Sequence, residues 1–183
     1  MKIGKVIFIH GNGMMRWSLA WTPWLKEELD KLGLITVFET FPDSILARKQ
    51  YWIPFLKEYL QADENTLLIG WSSGAVAAMR YAEENNILGS ILTAPCYTDL
   101  GVEEEKISGW FDEEWRWNNI RENQKFIGLL YSHDDEFVPQ DEFKHIEINL
   151  TPNIIHKFED KSHFRNEDKV LEIVETVKKI MKI

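Results

Sequence analysis

Short apolar runs recur along the 183-residue chain, and longer segments with helical periodicity separate them. The runs are continuous rather than alternately apolar and polar, which is typical of strands buried on both faces. Strands of this kind form parallel sheets in which a helix joins each strand to the next. We therefore predict an α/β fold of three layers, with a mostly parallel sheet of about six strands and helices on both faces. The predicted strands are 6–9, 34–41, 66–69, 87–94, 126–131 and 153–158.

The segments between these strands carry helix signals. Thr22-Pro23 predicts a helix start with Thr22 as its N-cap. Residues 45–60 have helical periodicity, and Pro54 is expected to kink or divide that helix. Two further helices are predicted over 75–83 and 168–180. We expect all of these elements to belong to a single domain spanning residues 1–183.

Charge and cysteine content narrow the functional class. With 21 basic and 30 acidic residues the net charge is −9, which argues against binding to nucleic acid or to anionic membranes. The only cysteine, Cys96, cannot form an internal disulfide, and no Cys/His cluster has zinc-finger spacing. The apolar run 6–9 is too short for a signal peptide or a membrane span. We expect a cytoplasmic protein that acts on a small-molecule substrate.

The motif Gly70-Trp71-Ser72-Ser73-Gly74 lies between a predicted strand and a predicted helix. In that context a G-x-S-x-G pattern predicts a nucleophile elbow, a strained turn that exposes the serine hydroxyl at the carboxyl edge of a sheet. The small residues two before and two after Ser72 let the strand and the helix approach closely. The alternative interpretation is a flexible Gly/Ser turn, which can match the pattern by chance.

A serine nucleophile needs a base and an acid, which α/β-hydrolases supply in the order Ser, Asp or Glu, His. The acid is expected just after the fifth predicted strand, where Asp134 and Asp135 precede a turn that runs to Pro139. Consecutive residues point in different directions, so only one of the pair can serve, and the turn favours Asp135. His163 follows the sixth predicted strand and is the candidate base, although alone it could be a surface histidine.

The loop after the first strand, His10-Gly11-Asn12-Gly13, predicts the remaining part of such a site. An oxyanion hole takes one backbone amide from this loop and one from the residue after the nucleophile. We expect these amides to be those of Asn12 and Ser73. A dinucleotide loop would need glycine where Arg16 stands, and no Walker-type phosphate loop occurs. We therefore expect neither a cofactor nor a metal.

Several of these stretches resemble the small serine hydrolases typified by retinoblastoma-binding protein nine. The resemblance covers nearly the whole chain and is most specific over residues 70–83. It is supported by Thr98-Asp99-Leu100-Gly101, Ser108-Gly109-Trp110-Phe111, Trp115-Arg116-Trp117, residues 134–139 and residues 162–166. It implies an α/β-hydrolase fold and a triad of Ser72, Asp135 and His163, and it agrees with the second aspartate of the pair as the acid.

The sequence departs from that family at two places. Trp71 stands before the serine where histidine is expected, which changes the predicted pocket wall. Retinoblastoma binding in the namesake is associated with a Leu-x-Cys-x-Glu motif, and the matching stretch here, Leu60 to Glu64, has Ala62 in place of the cysteine. We therefore do not predict binding to the retinoblastoma protein.

Residues 101–124 form an irregular segment, acidic at first and then aromatic. It follows the fourth predicted strand, where hydrolases of this type often insert a cap. Trp110, Trp115 and Trp117 are therefore candidates for the substrate pocket together with Trp71, although they could equally pack as a satellite core.

These patterns predict a serine hydrolase that cleaves small ester, thioester or amide substrates through an acyl-enzyme. The competing hypothesis is a catalytically silent protein-interaction module built on a hydrolase scaffold, because a fold alone does not establish activity.

Overall fold

The computed structural model describes residues 1–13 and 16–182. Within them the chain forms one sheet of six strands with helices between the strands. The strands are β1 (Lys5–Ile9), β2 (Thr36–Phe38), β3 (Thr66–Trp71), β4 (Gly89–Thr93), β5 (Ile127–Ser132) and β6 (Ile154–Phe158). The α-helices are α1 (Thr22–Lys31), α2 (Lys49–Pro54), α3 (Ser73–Ala82), α4 (Glu103–Ile107), α5 (Trp117–Glu122), α6 (Gln140–Leu150) and α7 (Leu171–Lys182).

The sheet has the strand order β2-β1-β3-β4-β5-β6, and every neighbouring pair is parallel. Helix α1 packs against α7, whereas α3 packs against α2 and α5 and α5 packs against α6. Right-handed crossovers that run in opposite directions from β1 place these two groups on opposite faces of the sheet. The predicted three-layer α/β-hydrolase architecture is confirmed.

The central strands explain why their sequences are continuously apolar. Every residue of β3, β4 and β5 is buried, because each strand has neighbours on both sides and helices on both faces. Strand β2 pairs with β1 over three residues only and is shorter than the predicted strand 34–41.

The predicted helix 45–60 begins later than expected and is divided. Residues 43–47 form a turn in which Asp43 and Ala47 have positive φ, and the Arg48 side chain binds the Asp43 carboxylate. Helix α2 then runs to Pro54, after which residues Phe55–Tyr59 form a π-helical turn. The wider turn fits Pro54, which has no N–H to donate and whose ring crowds the preceding turn.

One local prediction was wrong, and one helix was missed. Thr22 does not cap α1: Trp21 holds the N-cap position, and the Thr22 hydroxyl instead binds the carbonyls of Trp17 and Leu19. Helix α6 was not predicted, although Pro139 precedes it and its buried residues have helical spacing. The buried residues of α6 are Glu142, Phe143, Ile146 and Leu150.

Because all six strands are parallel, their carboxyl ends lie along one edge of the sheet. Strands β1 and β3 are adjacent there, and the chain leaves β1 toward β2 on one side and reaches β3 on the other. Such a reversal leaves a crevice at the carboxyl edge, which is where open α/β sheets bind ligands. Among the described helices, none is long and apolar enough to cross a membrane.

Candidate active site

Ser72 lies in the sharp turn that joins β3 to α3. Its φ of 56° and ψ of −123° are a combination that residues with a side chain rarely adopt. The Ser72 amide donates to the Thr93 carbonyl at 2.9 Å, which ties this turn to the end of β4. The strained conformation of a nucleophile elbow is therefore present at the serine that the motif singled out.

The two glycines of the motif are required by close backbone packing. A β-carbon at Gly70 would lie 2.6 Å from the Ala75 nitrogen, inside the first turn of α3. A β-carbon at Gly74 would overlap the Ile9 carbonyl and lie 2.6 Å from that of His10. The turn can therefore bring α3 against β3 and β1 only with glycine at both positions.

Three side chains from three loops form a continuous hydrogen-bonded chain at this edge. The Ser72 Oγ lies 2.9 Å from His163 Nε2, and His163 Nδ1 lies 2.8 Å from Asp135 Oδ2. The His163 and Asp135 side chains are almost entirely buried, with exposed fractions of 4% and 0%. The Trp71 indole donates to the His163 carbonyl at 3.0 Å and so fixes the backbone that carries the imidazole.

The two neighbouring aspartates have different partners. The second oxygen of Asp135 accepts the backbone amides of Phe137 and Val138 at 2.9 and 3.0 Å, so the turn toward Pro139 aims its carboxylate at His163. Asp134 instead accepts the Ser132 hydroxyl and the Ser162 amide. These contacts lower the pKa of Asp134, with the Ser132 hydroxyl making the largest contribution. Asp134 thus joins the two loops but does not contact the imidazole.

The loop after β1 is held from below by His10. The His10 Nε2 accepts the Phe41 amide at 2.9 Å, so its Nδ1 carries the proton and donates to the Gly11 carbonyl at 2.7 Å. Burial lowers the pKa of His10, which favours this neutral form. The Gly11 carbonyl and the Asn12 amide belong to one trans peptide unit, so restraining the carbonyl also restricts the direction of the amide.

Two cavities meet at Ser72 and His163. The loop-side cavity, about 370 Å³, is bordered by Gly11, Asn12 and Gly13 and by an apolar wall of Leu19, Ala20 and Trp71. The helix-side cavity, about 250 Å³, lies beneath α4 and is lined mainly by apolar side chains together with two carboxylates. Those side chains are Cys96, Leu100, Val102, Glu104, Glu105, Phe137 and Val138. A carbonyl at Ser72 can therefore have a substituent on either side.

The tryptophans predicted for the pocket separate into two groups. Trp71 lines the loop-side cavity. Trp110 does not reach it: the side chain is fully buried, donates to the Ala47 carbonyl at 2.7 Å and packs against Trp52.

Trp115 and Trp117 stack on each other 5.1 Å apart, and neither borders the two cavities at Ser72. The Arg80 guanidinium lies 3.6 Å above the Trp115 ring, and the Trp115 indole donates to the Tyr97 carbonyl. The aromatic part of segment 101–124 is thus a satellite core, and only residues near α4 border the site.

Sequence reasoning missed several residues that line the site. Arg165 borders both cavities, and its guanidinium lies 4.3 Å above the Phe137 ring. Its position two residues after His163 was the available signal. Glu105 carried no signal, because its chain neighbours suggest only a solvated acidic face. Burial is the main reason that the pKa of Glu105 is raised.

Cys96 lines the helix-side cavity but is buried, and desolvation raises the pKa of its thiol well above the usual value. A protonated thiol is a weak nucleophile, so Cys96 serves here as a small apolar residue of the cavity wall. Over residues 1–13 and 16–182 the structure contains no group of three or more His, Cys, Asp or Glu side chains placed to hold a metal ion.

Comparison with known proteins gives relatives along nearly the entire chain. No family model matches. The chain is 36% identical over 179 residues to "Serine hydrolase RBBP9" of Rattus norvegicus, which covers 97% of this chain and 95% of that protein.

Solved structures agree on the fold. The ydeN gene product of B. subtilis superposes with a TM-score of 0.88 at 21% identity and covers 98% of this chain and 99% of its own. The Pyrococcus furiosus esterase PF2001 superposes with a TM-score of 0.70 at 19% identity, covering 98% and 81%.

Proposed function

The chain is a serine hydrolase of the RBBP9 family with an α/β-hydrolase fold, and from this premise we propose that it cleaves small ester, thioester or amide substrates through an acyl-enzyme on Ser72. The observation that carries the proposal is the hydrogen-bonded chain from Ser72 Oγ through His163 to Asp135. It supplies a nucleophile, a base and an acid that orients the base, in contact and in the required order.

In the proposed reaction His163 Nε2 takes the hydroxyl proton as Ser72 Oγ attacks the substrate carbonyl. Asp135 keeps the imidazole in the tautomer with its proton on Nδ1 and stabilises the imidazolium that forms. Collapse of the tetrahedral intermediate breaks the bond to the leaving group, which receives the proton from His163. A water molecule then attacks the acyl-enzyme by the same sequence and regenerates Ser72.

The negative oxygen of both intermediates needs donors that are in place beforehand. We assign this role to the backbone amides of Asn12, whose peptide plane is restrained by His10, and of Ser73, the first residue of α3. One such donor typically contributes about 3 kcal/mol to stabilising the transition state.

The small volumes of the two cavities favour substrates with short or compact groups on both sides of the carbonyl. A panel of p-nitrophenyl esters of increasing acyl length, together with aminoacyl amides, tests this size preference directly. Full activity on long-chain esters would contradict it.

A fluorophosphonate probe tests the nucleophile. Wild type should be labelled on Ser72, and Ser72→Ala should lose both labelling and ester turnover while keeping its circular dichroism spectrum. Cys96→Ala is the matched control and should still be labelled, because the buried thiol is not the nucleophile. An unlabelled, inactive wild type would instead support the silent interaction module, and labelling of Ser72→Ala would place the nucleophile elsewhere.

A further inference from the structure

A side-chain contact links the loop after β1 to α4, the short helix above the helix-side cavity. The Asn12 side-chain amide donates to Glu105 Oε1 at 2.6 Å, although the two residues are 93 positions apart. Both residues line the helix-side cavity together with Ser72 and His163. The contact therefore lies beside the reacting groups and not on a remote surface.

Helix α4 is attached firmly enough to act as a support. Just after it, the Ser108 carbonyl accepts the Lys49 amide at 2.9 Å, and the Trp110 indole donates to the Ala47 carbonyl. Before it, Thr98 is held by the Glu142 carboxylate, which accepts both its amide and its hydroxyl. The segment carrying Glu105 is thus fixed to residues 47–49 and to α6.

The loop that carries Asn12 has less support of its own. Asn12 stands between two glycines, and Gly13 has a φ of +66° with open space where a β-carbon would lie. Backbone of this kind has more accessible conformations than that of other residues. His10 restrains the Gly11 carbonyl, and the Ile45 carbonyl accepts the Gly13 amide at 2.9 Å. For the Asn12 side chain, the restraint the structure shows is Glu105.

We propose that Glu105 is a positioning residue of this hydrolase, whose carboxylate holds the Asn12 side chain and thereby keeps the Asn12 backbone amide directed at the oxyanion. This inference rests on the proposed function, because it requires the Asn12 amide to act in the transition state. Glu105 does not touch the reacting atoms in this role. Its effect passes through Asn12, so either side chain without the other should be of no use to catalysis.

Substitutions at the two ends of the contact test this directly, with p-nitrophenyl acetate as the substrate. Glu105→Ala should lower kcat about tenfold with little change in KM, since a displaced donor weakens the transition state more than the ground state. Asn12→Ala keeps the backbone amide but loses the anchor, so it should show a similar loss. The double variant should be no worse than either single one.

Two further variants separate positioning from charge and from folding. Glu105→Gln keeps an oxygen that can accept the Asn12 amide, so it should retain kcat within about threefold of wild type. Glu103→Ala removes an exposed carboxylate from the same helix and should leave both kinetics and Tm unchanged.

The proposal is overturned if Glu105→Ala leaves kcat unchanged, if Glu105→Gln is as slow as Glu105→Ala, or if the losses multiply in the double variant. The second result would point to the charge of Glu105 acting on His163. If Glu105→Ala does not fold, Asn12→Ala and Glu105→Gln still decide, because positioning requires the first to be slow and the second fast. Fluorophosphonate labelling of wild type on Ser72 checks the proposed function separately, so its failure is distinguishable from failure of this inference.

Discussion

Two buried hydrogen-bonded pairs of titratable side chains, with similar geometry, occupy different regions of the molecule. Arg80 and Glu83 lie 2.8 Å apart beneath the aromatic segment, and His163 and Asp135 lie 2.8 Å apart at the carboxyl edge of the sheet. The side chains of both pairs are at most 4% exposed. Neither distance nor burial distinguishes the two, so a buried pair of titratable side chains is by itself a weak indicator of a functional site.

The difference lies in what the other polar atoms of each pair contact. The Arg80 guanidinium donates to the backbone carbonyls of Trp110, Glu113 and Glu114, and Glu83 also accepts the Arg116 amide. The polar atoms of that region bond to one another, and these hydrogen bonds hold an irregular segment in place.

At the carboxyl edge, the far nitrogen of His163 faces the hydroxyl of Ser72, which borders two cavities. This pair is therefore open to a substrate. The comparison teaches that a polar network is placed for chemistry when it ends on a group that a ligand can reach.

The largest effect that sharpens this comparison is expected at the aspartate pair. Asp135→Asn should lower kcat by up to about 10⁴, because the wrong imidazole tautomer is then favoured. Asp134→Asn is the matched control next to it and should cost far less, since the Asp134 carboxylate bonds to Ser132 and Ser162 and not to His163. Steady-state kinetics of the two variants, with circular dichroism to confirm folding, check this. If Asp134→Asn loses most of its kcat while Asp135→Asn stays active, the acid that orients His163 is Asp134 and not Asp135.

Substitutions in the Arg80–Glu83 pair should affect the free energy of unfolding and not the kinetics. Arg80→Met removes the nearest cation from the buried Glu83 carboxylate and leaves the Arg116 guanidinium 3.8 Å away, so it should lower the free energy of unfolding by about 3 kcal/mol. Urea denaturation measures the loss, and kcat per folded molecule should stay at the wild-type value. Adding Glu83→Leu to this variant should restore part of the stability. A strong fall in kcat in a well-folded Arg80→Met would mean that the two regions are coupled.

A smaller effect is expected in the aromatic stack. Trp115→Ala removes a half-buried ring from Arg80 and Trp117, and we expect it to destabilise the protein by about 2 kcal/mol with KM unchanged. Trp71→Phe is the counterpart at the site: it keeps a ring but loses the bond to the His163 carbonyl, so kinetics should change more than Tm. A changed KM in Trp115→Ala would restore the cap interpretation of this segment.

The smallest effect concerns His10 and pH. Its folded-state pKa is lowered by burial, so below about pH 6.5 the unfolded chain takes up a proton that the folded protein resists. Stability should therefore be present above that pH and be lost as the pH falls toward the folded-state pKa, by at most about 1.4 kcal/mol per pH unit. The loss between pH 7 and 5 should be shallower in His10→Asn.

His156 supplies the control for this measurement, because burial lowers its pKa too and it lies on β6 away from the loop. His156→Gln should also make the unfolding free energy fall less steeply between pH 7 and 5, by the contribution of His156, and should leave kcat unchanged. If His10→Asn leaves the pH slope of the unfolding free energy unchanged, His10 is not held neutral in the folded protein.

Most of the fold and the central part of the candidate site were predictable from sequence because their signals are local. The elbow motif specifies its turn locally, because the close backbone packing admits only glycine at Gly70 and Gly74. The continuous apolar strands predict a parallel sheet, whose strands all end at one edge. Prediction failed where one local sequence pattern is compatible with two different structures. The periodicity of 45–60 did not reveal that Asp43 would bind Arg48 and delay the helix start.

The sequence by itself determined the strands of the sheet and the strained turn at Ser72, because apolar patterning and backbone sterics act between near neighbours. Only the tertiary structure decided which aromatic residues line the cavity, because Trp71 and Trp115 are equally apolar in sequence. In the folded chain Trp71 borders the cavity, whereas Trp115 packs on Arg80 and Trp117. It also decided the contact between Asn12 and Glu105, because a hydrogen bond across 93 residues leaves no periodic trace in the chain.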